Sequence, residues 1–80
     1  MSQDLHRALL CAHAAQNQEA LVALYTRAAR QADRQGRADA ACFYLTQALV
    51  FALEGGLPQA QALNQDLVAR GRAHPLPQTV

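Results

Sequence analysis

Apolar and small residues recur along this chain at the three- and four-residue intervals of an amphipathic helix, interrupted at a few points by Gly, Pro and Asn. The breaks fall near Asn17, at Gly36, at Gly55-Gly56 and after Gly71, and they predict four helices spanning about 4–15, 18–35, 37–54 and 57–71. In the first, Leu5, Leu9 and Ala12 form a narrow apolar stripe, with Ser2 placed to cap the helix and Asp4 at the positive end of its dipole. The second carries Leu21, Leu24, Tyr25, Ala28 and Ala32 on one face and Arg27, Arg30 and Arg34 opposite. Gly36 can adopt the left-handed conformation that ends this helix, and the link to the next is so short that it demands an antiparallel hairpin.

The third helix carries Ala38, Ala41, Cys42, Leu45, Ala48, Leu49, Ala52 and Leu53 on one wide face, which makes it the expected centre of the core. Phe43 and Val50 lie on its other side between Asp39, Gln47 and Glu54, with Tyr44 and Phe51 along a flank. Pro58 suits the first turn of a fourth helix that buries Leu57, Ala60, Leu63, Leu67 and Val68. Pro75 and Pro77 rule out a helix over 73–80, which is expected to be a frayed or extended tail beyond a single helical domain, 1–72. The fold class expected is all-α, four antiparallel helices.

Composition sharpens this picture. The chain has 80 residues, so a single core only just suffices, and it is dominated by Ala, Leu and Gln, with no Trp. Small contact residues let helices approach closely. The seven basic residues are all Arg, and six carboxylates offset them to a net charge of +1, so nucleic acid is not an expected partner. No apolar run reaches membrane-span or signal-peptide length, and a cytoplasmic location is the expectation. Cys11 and Cys42 lack any CxxC or Cys/His spacing and read as reduced structural thiols.

The stretch from Val22 to about Gly55 resembles one tetratricopeptide repeat, a 34-residue helix-turn-helix unit with small and large residues at fixed positions. Tyr25, Ala28, Ala29 and Ala32 stand at the first-helix W-x-x-L-G-x-x-Y positions, Gly36 at the turn, and Ala41, Leu45 and Ala48 at the A-x-x-x-F-x-x-A positions. Two of the large signature residues are alanines here, and Gly55-Gly56 replaces the proline that follows the repeat. The resemblance implies a tetratricopeptide-like stack in which Ala29 and Ala41 are points of close helix approach and the first helix of the repeat lines a peptide-binding groove. A four-helix bundle with short loops fits the same periodicity.

Catalysis would need a nucleophile beside a base, or two carboxylates with separated affinities for protons, and neither spacing occurs. His6 and His13 are about 10 Å apart along a helix, too far to share a metal ion, and no Gly-rich loop suggests a cofactor. A non-enzymatic protein-interaction module, with no metal or cofactor, is the function expected; a small ligand-responsive bundle with a pocket lined by Leu24, Leu45 and Leu49 is the alternative. Two surfaces are candidates for partner binding. The Arg27, Arg30, Arg34 stripe would suit an acidic peptide, and the Phe43, Val50, Phe51 patch, if uncovered, would suit a helix or a second copy in a homodimer.

Overall fold

The computed structural model describes residues 3–72, and the expectations for Ser2 and for the tail over 73–80 lie outside them. Four helices form: α1 (Gln3–Ala14), α2 (Gln18–Arg34), α3 (Ala38–Glu54) and α4 (Gln59–Ala69). Each helix ends the same way. A residue with positive φ follows it, Gln16 at 53°, Gly36 at 72°, Gly56 at 63° and Gly71 at 72°. The next residue's N–H then reaches back to a carbonyl in the last turn: Asn17 to Ala12, Arg37 to Ala32, Leu57 to Ala52 and Arg72 to Leu67, at 2.8–3.0 Å. These Schellman closures satisfy carbonyls that the helix leaves unpaired. Asn17 also starts α2, its side chain accepting from the Ala20 N–H at 3.1 Å.

The turns reverse the chain, and each helix packs against its neighbours in sequence: α1 on α2, α2 on α3, α3 on α4. Helix α1 does not pack against α4, so the described residues form an open slab with principal extents of 41, 31 and 12 Å rather than a closed bundle.

Helix α2 is covered on two sides. Leu21 and Ala28 join Leu5, Leu9 and Ala12 of α1, while Val22 and Ala29 join Cys42, Leu45, Ala48, Ala52, Ala60, Leu63 and Leu67 of α3 and α4. Ala29, Ala41, Ala48 and Ala52 are wholly buried, as the small side chains of a close helix contact should be. The single α2 face read from the sequence omits Val22, because a helix between two neighbours buries more than one stripe. The wide α3 face is narrower than expected: Ala38 is exposed and Leu53 is 52% exposed, both at its margins.

Two glycines are required for different reasons. Gly36 has open space around its α-carbon but a left-handed φ, whereas Gly55 has an ordinary φ of −84° and a Cβ there would stand 3.0 Å from the Gln18 Cβ. Gly36→Ala should cost about 1 kcal/mol and Gly36→Asn less, since Asn tolerates the left-handed region. At Gly55 both replacements should destabilise alike. Leu45→Ala should cost about 2–5 kcal/mol, a fall in Tm well above 8 °C for a domain of this size. Thermal melts followed by circular dichroism check all five values.

Candidate functional site

Helix α3 turns one strip of its surface away from every other helix. At 100° per residue Phe43 and Val50 lie within about 20° of each other, and Leu53 falls about 60° further round. They are 57%, 41% and 52% exposed, and Thr46 lies among them, so an apolar line runs over three turns. Soluble proteins expose single apolar residues freely, as Leu10 of α1 does here at 56%, but a contiguous line marks a contact surface. Asp39 flanks one end of the line and Glu54 the other.

Phe51 does not belong to this line. It lies about 80–100° round from Phe43 and Val50. There it is half-buried, stacking on Tyr25 with centroids 5.9 Å apart and planes 9° apart, and meeting the His13 ring edge-on at 5.4 Å. His13 also shares a 3.0 Å hydrogen bond with the Tyr25 hydroxyl, and Tyr44 completes the group at 6.3 Å from Tyr25. Burial pushes the Tyr25 hydroxyl pKa up, helped by the neighbouring Tyr44. Phe51 is a wedge that ties α1 and α2 to α3.

The arginine stripe is also divided. Arg30 hydrogen-bonds Asp66 of α4 at 3.1 Å and lies 3.7 Å from Asp33. Arg70 completes an alternating ring, forking onto both Asp33 oxygens at 3.0 and 2.8 Å and donating its Nε–H to Asp66 at 2.7 Å. Helices α2 and α4 are joined by these long side chains, which leaves Arg30 committed within the fold. Arg27 and Arg34 are exposed and form no ion pair among the described residues. Arg72, beyond α4, reaches across to Asp39 of α3. The Asp39 bond holds the Arg72 pKa up.

The other sequence candidates are dispersed. His6 and Cys11 are exposed, Cys42 is buried, and neither thiol is in a disulfide. No group of His, Cys, Asp or Glu among the described residues is placed to hold a metal ion, and no described helix is long and apolar enough to cross a membrane. Of the three leucines expected around a pocket, Leu45 is wholly buried in packed core and Leu24 and Leu49 are half-buried. A hollow beside the α2–α3 turn, lined by Gln31, Gln35, Arg37 and Tyr44, has room for roughly one water molecule. No known protein family, curated protein or solved structure matches the chain.

Sequence reasoning missed Leu53 as a surface residue and Asp66 and Arg70 as partners of α2. The i, i+4 spacing of Asp66 and Arg70 was a visible signal, but their pairing across to Asp33 depends on α4 coming alongside α2.

The ring has a measurable signature. The hydrogen bonds from Arg70 hold both Asp33 and Asp66 below the usual carboxylate pKa, against a smaller upward push from burial. A carboxylate whose folded pKa is lowered stabilises the fold above its unfolded pKa, and that contribution is lost as pH falls through the folded one. The native chain should therefore lose stability below about pH 4, and Arg70→Met should flatten that fall. At neutral pH the same variant should cost about 1 kcal/mol, since the ring is partly exposed to solvent. Urea melts from acid to neutral pH would contradict this account if the two proteins ran parallel.

Proposed function

We propose that this chain is a non-enzymatic protein-interaction module of tetratricopeptide-like type, and that it binds through the outer face of α3. The observation that carries the reading is the line of Phe43, Val50 and Leu53, exposed on a helix whose opposite face buries Ala41, Cys42, Leu45, Ala48 and Ala52 in the core. A chain of marginal stability gains nothing from three large apolar side chains in water, whereas a docked helix would bury them. The tetratricopeptide-like reading is supported by the burial of Ala28, Ala29, Ala32, Ala41, Leu45 and Ala48 at the motif positions and by packing between consecutive helices in an open slab.

Arg27 and Arg34 give the module a second, weaker preference. Exposed and without an ion pair among the described residues, they favour a partner with acidic residues, acting on encounter rate more than on final affinity.

An immobilised chain should retain a protein, another chain or its own soluble copy, that Val50→Glu releases while keeping its helicity. Arg27→Glu with Arg34→Glu should slow association by about tenfold or less, and the effect should vanish at high salt. Equal retention of every bound protein by native chain and Val50→Glu would remove the α3 face from consideration.

A further inference from the structure

We infer that the strip of Phe43, Val50 and Leu53 is covered in the free chain by the chain's own segment 73–80, which a partner must displace. The covering rests on where α4 delivers the chain and on how far that segment reaches. The displacement rests on the reading of the strip as a binding surface and gives that surface its regulation.

The first argument is the exit from α4. Gly71 at a φ of 72° and the 2.9 Å bond from the Arg72 N–H to the Leu67 carbonyl repeat the closure that follows α1, α2 and α3, each time reversing the chain. A fourth reversal sends the residues after Arg72 antiparallel to α4, and so in the direction of α3, from Asp39 toward Leu53. Arg72 marks the starting point. Its guanidinium bonds Asp39, which lies one turn before Phe43 and falls, at 100° per residue, between Val50 and Leu53. The segment therefore sets out beside the N-terminal end of the strip and on the strip's own line.

Reach and chemistry supply the second argument. The segment reads Ala73-His74-Pro75-Leu76-Pro77-Gln78-Thr79-Val80, and its two prolines bar a helix and favour a polyproline II course at about 3.1 Å per residue. Leu76 then lies about 12 Å beyond Arg72 and Val80 about 25 Å beyond it. Measured along α3 from Asp39, Phe43 lies at about 6 Å, Val50 at about 17 Å and Leu53 at about 21 Å. Leu76 thus falls between Phe43 and Val50, and Thr79 and Val80 come level with Leu53. Three residues per turn make two of the segment's three edges apolar, one with Ala73 and Leu76, the other with Pro77 and Val80. The segment has no carboxylate side chain, so Asp39 and Glu54 at the ends of the strip do not repel it. Tethering holds it at a local concentration of order millimolar, enough to favour a small contact that a longer helix still displaces.

Proton cross-relaxation in NMR spectra of the full chain tests this. Cross-peaks from the Leu76 methyls to the Phe43 ring and the Val50 methyls, unchanged on dilution, are the expected result. Leu76→Ser, which adds no charge, should shift the signals of Phe43, Thr46 and Val50 while those of Leu5 stay still. The same variant should bind a protein that the native chain retains through Val50 about fivefold more tightly, because the face is then open in every molecule. Equal affinity overturns the displacement. Absence of cross-peaks between Leu76 and α3 overturns the covering, as do α3 signals that move on dilution but not in Leu76→Ser, which would make a second copy the occupant. If Leu76→Ser leaves α3 unmoved while Val50→Glu still releases a protein, the segment is rejected and the interaction module stands. Cross-peaks together with equal retention of every protein by native chain and Val50→Glu uphold the covering and reject the interaction reading, and the displacement with it.

Discussion

The close approach of α2 and α3 through alanine is the constraint on which the rest of this molecule depends. Ala29, Ala41, Ala48 and Ala52 are wholly buried, and only Leu45 and Leu67 among the large side chains are sealed as completely. A seam of methyl groups brings two backbones together but fills little volume, so large residues must work at its margins. Tyr25, Tyr44, Phe51 and His13 fill the margin toward α1. Leu63 and Leu67 fill the margin toward α4. Where the helices are too far apart for short side chains, the Arg30–Asp66 and Arg70–Asp33 bonds span the gap between α2 and α4.

The same constraint leaves α3 with more apolar residues than its neighbours can cover. An alanine seam needs only part of the helix circumference, and Phe43, Val50 and Leu53 stand on the part that remains. In an open slab that part faces no other helix. The proposed interaction surface follows from this architecture: the outer face of α3 is an apolar strip with Asp39 at one end and Glu54 at the other.

Local signals made the helices readable from sequence, and their limits explain the errors. Gly36, Gly56 and Gly71 mark turns by their positive φ and Asn17 by its capping side chain, all local properties, so the four elements were placed to within a residue or two. The stripe of Leu5, Leu9 and Ala12 was equally plain, because the backbone of α1 comes close to α2 alone. Val22, Leu53 and Phe51 were misjudged because their surroundings depend on which helices come side by side, a property of the stack and not of any one period. Arg30 looked like a free cation for the same reason, since Asp66 lies 36 residues away in sequence.

The central claim is that the outer face of α3 is the binding surface, and amide and methyl NMR spectra of the native chain, recorded with and without the protein that it retains, test it most directly, because contact shifts signals residue by residue. Shifts at Phe43, Thr46, Val50 and Leu53, with Leu5 and Leu9 unmoved, are the predicted result. Shifts confined to the surroundings of Arg27 and Arg34 while Val50 stays still would contradict it.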